Sequence, residues 1–191
     1  MRALALLCAL ALPAAGTFAA CPPRHAAAAP NSAALNEAEA LYLPTPQHVV
    51  DAMLRMAKVG RGDVLYDLGS GDGRIPITAA QRYGVRAIGI ELDGRKIAEA
   101  RCNASERAVA QLVEFRQQDV FKADFREATV VTLFLFPEMN LRLRPRLLAE
   151  LAPGTRIVSH RFDLGDWPPE RRADVDGHAL FLWTVPARGM R

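Results

Sequence analysis

The stretch Val64-Leu65-Tyr66-Asp67-Leu68-Gly69-Ser70-Gly71-Asp72-Gly73 constrains this chain more than any other. Its first half is an apolar run, the pattern of a parallel strand covered on both faces. Its second half alternates glycine with small polar residues, and a helix is predicted over 74–83. Gly69, Gly71 and Gly73 remove side chains where the backbone must turn sharply, so a ligand can come close to the main chain. Asp67 sets a carboxylate at the end of the strand, just before that turn. In open α/β sheets, ligands sit at the carboxyl ends of strands. Three alternating glycines behind an acidic strand end exceed what a bare turn needs.

Strands and helices alternate on both sides of this stretch. Thr45 reads as an N-cap and Pro46 as the first position of an amphipathic helix ending at Gly60. Strands are predicted over 85–91, 113–117, 129–136, 156–160 and 178–185. Helices are predicted over 94–107 and 140–151, the second broken near Pro145. Pro137 is read as the stop of the 129–136 strand, and 162–170 as a loop. The alternation argues for an α/β fold with a mostly parallel sheet and helices on both faces.

The N-terminus reads differently. Met1-Arg2 is a short positive start, 3–12 an apolar core, and Thr17-Phe18-Ala19 suits small-residue cleavage. The expected organisation is a signal peptide over 1–19, a flexible linker over 20–40, one domain over 41–187 and a tail over 188–191. The expected location is periplasmic or otherwise exported, with lipidation at Cys21 as a variant and the cytoplasm if the leader is unused. Cys102 stands apart from Cys8 and Cys21 and is expected to be an unpaired, buried, apolar residue. No His/Cys/carboxylate spacing suggests a metal. The net charge of +3, without a basic block, gives no sign of a nucleic-acid partner.

The glycine spacing departs from the dinucleotide pattern, because Arg74 stands where the last glycine would fall. Asp67 directly before the glycines opposes a pyrophosphate and suits a cationic group. S-adenosylmethionine carries an ammonium and a sulfonium and no phosphate. Glu91 ends the next strand, where an acidic residue meets ribose hydroxyls in such folds. Asp119 follows the third strand and is placed to accept from an adenine amine. Three carboxylates on three successive strand ends make one electronegative rim.

Asp67-Leu68-Gly69-Ser70-Gly71-Asp72-Gly73, Glu91 and Asp119 resemble the cofactor motifs of class I, Rossmann-like S-adenosylmethionine-dependent methyltransferases. Pro44-Thr45-Pro46, Phe134-Leu135-Phe136-Pro137, Arg161-Phe162 and Trp167-Pro168 narrow the resemblance. They are similar to motifs of the seven-β-strand protein-lysine methyltransferases that act on the membrane-ring protein of mitochondrial ATP synthase. The resemblance implies a seven-stranded sheet with an antiparallel last strand, S-adenosylmethionine as cofactor, and a protein or peptide lysine as acceptor. It implies cofactor contacts from Thr45, Asp67, Gly69, Ser70, Gly71, Gly73, Glu91, Asp119 and Val120. Tyr42, Thr45, Phe136, Pro137 and Trp167 are candidates for the acceptor channel, and His160 for a base. Arg142, Arg144 and Arg146 read as a solvated face. Two alternatives stay open from sequence: an exported, non-catalytic ligand-binding domain of the same fold, and methyl transfer to a small molecule. The oligomeric state is not legible.

Overall fold

The computed structural model describes residues 43–187. The predicted leader, linker and tail, and the candidate Tyr42, lie outside the described residues. The elements run α1 Gln47–Met56, β1 Val64–Leu68, α2 Arg74–Tyr83, β2 Arg86–Glu91, α3 Gly94–Glu106, β3 Val113–Gln117, β4 Val130–Leu133, α4 Pro137–Glu150, β5 Arg156–His160, β6 Arg171–Val175 and β7 His178–Thr184. The strands form one seven-stranded sheet in the order β3-β2-β1-β4-β5-β7-β6. The first five pair in parallel, and β7 runs antiparallel to both β5 and β6. This is the Rossmann-like class I methyltransferase fold expected from the sequence.

The sheet separates two cores. Tyr66, Leu68, Ile88, Ile90, Val131 and Leu133 pack on one face against Leu143 and Leu147 of α4 and Trp183 of β7. Leu65, Ala87, Val130 and Val158 pack on the other against Val49, Val50, Met53 and Leu54 of α1 and Ile75 of α2. The period of two within each strand sends neighbours to opposite faces, and both faces are covered. That is why β1 and β4 read as unbroken apolar runs. The order reverses between β1 and β4, so β1 and β2 lead away in one direction and β4 in the other. The crevice at that switch point is where such sheets bind ligands.

Several local expectations are corrected. Pro46, not Thr45, caps α1, and no side chain closes that cap. The Thr45 hydroxyl is engaged instead with His160 Nδ1 at 3.1 Å, so a tertiary bond outcompetes the local one. β4 ends at Leu133, and Phe134-Leu135-Phe136 leaves the sheet. Pro137 starts α4 instead of only stopping a strand, consistent with proline at the first helical position. α4 runs through Pro145 without a break. Pro145 and Leu141, the residue four positions back whose carbonyl loses its helical partner, are both exposed. β6 has no counterpart among the predicted strands. Its Arg171-Arg172-Ala173-Asp174 run is exposed on a sheet edge, where charge guards against mispairing at the expense of the apolar signal. Cys102 is half-buried and disulfide-bonded, which overturns the expectation of a buried free thiol.

Candidate cofactor and acceptor site

The glycine turn after β1 is tied down before any ligand arrives. Gly69 and Ser70 donate their amides to the Ile90 carbonyl of β2 at 2.8 and 2.9 Å, and Gly73 donates to Ser70 O at 2.9 Å. Gly69, Gly71 and Gly73 all have positive φ, at +87°, +51° and +79°. Those values lie in the region L side chains avoid, so the turn needs glycine. A Cβ on Gly69 would lie 2.7 Å from Leu135 Cδ2, which shows how closely β1 and the segment after β4 approach. Arg74 forms an ion pair with Asp72 and donates to Thr45 O at 2.8 Å. The segment ahead of α1 is thereby fastened to the glycine turn.

A cavity of about 570 Å³ opens at the carboxyl ends of the strands. It brings together Thr45, Asp67, Gly69, Ser70, Gly71, Glu91, Asp119 and Val120, from the segment ahead of α1, β1 and the ends of β2 and β3. Phe121 and Leu92 supply apolar surface near Asp119 and Glu91. Leu135, Phe136, Met139 and Phe162 wall the side under β4, α4 and β5. Glu91 binds backbone within the site. Its Oε2 accepts from Gly71 N at 2.9 Å, and its Oε1 accepts from Leu92 N and Asp93 N at 2.8 and 3.0 Å. Asp119 Oδ1 accepts from Phe121 N at 2.9 Å, which fixes the turn carrying Val120 and Phe121.

Asp67 is 2% exposed. Thr132 Oγ1 donates to its Oδ1 at 2.7 Å. Burial pushes its carboxyl up from 3.8 to about 7; the Thr132 bond opposes that rise, and the charges of Glu91 and Asp72 add to it. A buried carboxylate beside two others awaits a cation.

Four of the residues named from sequence are placed elsewhere. Gly73 lies beneath the cavity, facing Phe115 and Ala100, and serves as the left-handed entry to α2. Pro137 is exposed on α4, outside the wall. Trp167 packs on Trp183 at 6.0 Å between ring centroids, and its carbonyl accepts from Trp183 Nε1 at 2.8 Å. His160 is 1% exposed, and both ring nitrogens are engaged: Nδ1 with Thr45 Oγ1, and Nε2 with His178 Nδ1 at 2.9 Å. Burial and the neighbouring His178 lower its pKa to about 4. Such an imidazole props the cavity wall through Thr45 and is not presented to an acceptor. Sequence reading misses Leu92, Phe121, Met139 and Arg142 as wall residues. Leu92 and Phe121 follow the acidic rim directly, and a large apolar residue just beyond a strand-end carboxylate is the signal that marks them.

The residues present fit S-adenosylmethionine. The turn leaves bare backbone where the ligand comes closest, and the strand-end carboxylates beside it supply acceptors that repel a phosphate. Ser70 Oγ is buried without a partner beside that backbone. Asp67 suits the ammonium, Glu91 the ribose hydroxyls, and Asp119 with Val120 and Phe121 the adenine. An ammonium beside Asp67 favours its ionised form. Binding is therefore expected to release a proton below about pH 7, and affinity to rise up to about tenfold per pH unit between about pH 5 and pH 7. Calorimetry of binding in two buffers of different ionisation enthalpy checks this; equal heats in both at pH 6 would contradict it.

Comparison with known proteins agrees with this geometry. Residues 67–171 match the family described as ANTKMT methyltransferase domain. The chain is 42% identical over 149 residues to a protein-lysine N-methyltransferase of Saccharolobus islandicus, covering 75% of this chain and 92% of that protein. It is 36% identical over 129 residues to the mouse adenine nucleotide translocase lysine N-methyltransferase, covering 67% of this chain and 56% of that longer protein. A solved structure from Salinibacter ruber, described as an RNA methyltransferase in complex with S-adenosyl-L-homocysteine, is 55% identical. It superimposes with a TM-score of 0.75 over 76% of this chain and 95% of that one.

Proposed function

The chain belongs to the ANTKMT methyltransferase family, and from that premise we propose that it moves a methyl group from S-adenosylmethionine to the ε-amine of a protein lysine. It is an S-adenosylmethionine-dependent methyltransferase. The observation that carries the reading is one hollow shared by Asp67, Gly69, Gly71, Glu91 and Asp119 at the ends of three adjacent strands. Held by Asp67, Glu91 and Asp119, the cofactor would supply an electrophilic methyl on a sulfonium; the amine lone pair would take that methyl while the sulfur keeps the S–C electron pair, the lysine ammonium having first given a proton to water.

The protein's own residues position and desolvate. Asp67 and Glu91 hold one end of the site against the rigid glycine turn, which fixes where an acceptor must arrive. Leu135, Phe136, Met139 and Phe162 make the acceptor side apolar. An amine entering such a mouth loses hydration, and desolvation favours its neutral, nucleophilic form. That removes the need for a dedicated base, in keeping with His160 being fully engaged behind the wall.

A second reading, RNA as acceptor, is favoured by the description of the Salinibacter ruber structure as an RNA methyltransferase. The test gives the full chain tritiated S-adenosylmethionine with lysine peptides and, separately, short RNA. Acid-stable label on peptide lysine is expected. Label on RNA and on no peptide would replace the lysine reading with the RNA one.

For location, we infer that the leader is used and that the domain works outside the cytoplasm. The three-part pattern over 1–19 supports this, as does a disulfide at Cys102, since such bonds persist in oxidising compartments. Cell fractionation with detection of the mature chain tests it.

A further inference from the structure

Building on the lysine reading, we propose that the acceptor mouth selects lysines flanked by carboxylates, held by Arg142 and Arg161. Both arginines line the cavity, Arg142 from α4 and Arg161 from the residue just after β5. Both are exposed. Their neighbours differ in one respect: Arg144 is paired with Asp166, and Arg146 with Glu150. Arg142 and Arg161 form no ion pair among the described residues, although Glu138 stands one turn before Arg142 and Asp163 two residues beyond Arg161. Asp163 Oδ1 is engaged with Gly165 N at 3.0 Å.

Neither arginine relies on a carboxylate for its placement: Arg142 is placed by a ring contact and Arg161 by its backbone. Arg142 lies over the Phe121 ring at 3.8 Å from its centroid, on the same turn that lines the adenine side. Arg161 adopts φ +68°, a left-handed conformation that is uncommon for a residue with a side chain. The surroundings over-determine that conformation. Arg161 N donates to Ala179 O at 2.7 Å, and Ser159 Oγ donates to Phe162 O at 2.6 Å. The buried Asn140 donates from Nδ2 to the carbonyls of Phe162 and Asp163 at 3.3 and 3.2 Å. Strain that is maintained by a network and sits at a cavity wall points to a task for the side chain it aims.

The mouth is also built for a macromolecule. Four large apolar side chains are exposed among the described residues, and three of them, Leu43, Leu92 and Phe136, line this cavity. Clustered apolar exposure beside a pocket marks a docking surface. Charge complementarity then names the occupant. A lysine amine is drawn toward the acidic interior, while carboxylates on either side of it meet the two unpaired guanidiniums at the rim. A nucleic acid fits less well. Two arginines make too short a track for a phosphate backbone, and Asp67, Asp72, Glu91 and Asp119 lie in the same wall.

The experiment uses the full chain, tritiated S-adenosylmethionine, and three short peptides with one central lysine flanked by glutamate, alanine or arginine, plus a short single-stranded RNA. The glutamate-flanked peptide is expected to show kcat/KM about tenfold or more above the alanine peptide, mostly through KM, with the arginine peptide slowest. The double variant Arg142→Glu, Arg161→Glu should invert the order of the glutamate and arginine peptides. The single variant Arg161→Glu, which does not touch the Phe121 turn, should shift the order in the same direction with its S-adenosylmethionine Kd within about threefold of wild type, which separates loss of selectivity from loss of folding. Equal rates on all three peptides would overturn the selectivity and leave lysine transfer standing. Transfer to RNA and to no peptide, or to nothing, would remove the selectivity together with the reading beneath it.

Discussion

Asp67→Asn is expected to weaken S-adenosylmethionine binding by at least about tenfold while making the protein more stable at pH 8. The two effects come from the same burial. Asp67 is enclosed, accepts one hydrogen bond from Thr132, and lies near Glu91 and Asp72. The folded state therefore holds its carboxyl in the acid form up to about pH 7, while an unfolded chain releases that proton near 3.8. A raised carboxyl pKa costs stability as pH climbs from the lower value to the higher. A shift of this size corresponds to about 4 kcal/mol when the group is fully ionised. Asparagine has the shape of the protonated acid and keeps an oxygen for Thr132. The variant should thus melt much higher than wild type at pH 8 and only modestly higher at pH 5, where the cost has fallen to roughly 1.5 kcal/mol. The missing charge removes a charged hydrogen bond to the cofactor's ammonium, about 1.5–3 kcal/mol. Melting curves at the two pH values and calorimetric titration read the two effects separately. A variant that binds normally would sever Asp67 from the ammonium. A variant that melts lower at pH 8 would show that the carboxylate is already compensated.

The same burial explains why the site is legible before the fold. Val64 to Leu68 reads as a strand because both its faces are covered, and Asp67 stands out because nothing else in that strand is charged. Glu91 and Asp119 sit at equivalent places on β2 and just beyond β3, so a fixed strand–turn–helix rhythm brings all three to one hollow. Where tertiary contacts override local preference, the reading fails. Thr45 has the chemistry of a helix cap, but His160, 115 residues away, takes its hydroxyl. β6 carries the polar sequence of an exposed edge and has no apolar period to detect. Arg142 and Arg161 belong to different elements, 19 residues apart. They meet one mouth only because β4 and β5 are adjacent and α4 crosses between them. Gly73 misleads for a subtler reason. Its spacing matches the ligand-facing glycines, yet its requirement comes from the core side.

That distinction carries the second large effect. Gly73→Ala is expected to destabilise the protein by about 2–5 kcal/mol without touching the cavity wall. Two costs add. At φ +79° an L side chain is strained by about 1–2 kcal/mol. A Cβ there would also lie 2.5 Å from Phe115 Cζ and 2.9 Å from Ala100 Cβ, inside a cluster shared by α2, α3 and β3. Overpacking of that kind costs about 1–3 kcal/mol. Gly154→Ala isolates the first cost, because its φ is +87° and nothing lies within 4 Å of the added carbon. It should lose only about 1 kcal/mol. Phe115→Leu isolates the second. In the Gly73→Ala background it should recover part of the loss, whereas alone it should destabilise, so the double-mutant cycle is expected to show favourable coupling of about 1 kcal/mol or more. Denaturant titrations of the four proteins give these values directly. Additive losses would mean that β3 shifts aside to admit the methyl group. In that case the glycine would be required by backbone conformation alone, as in a turn that faces solvent.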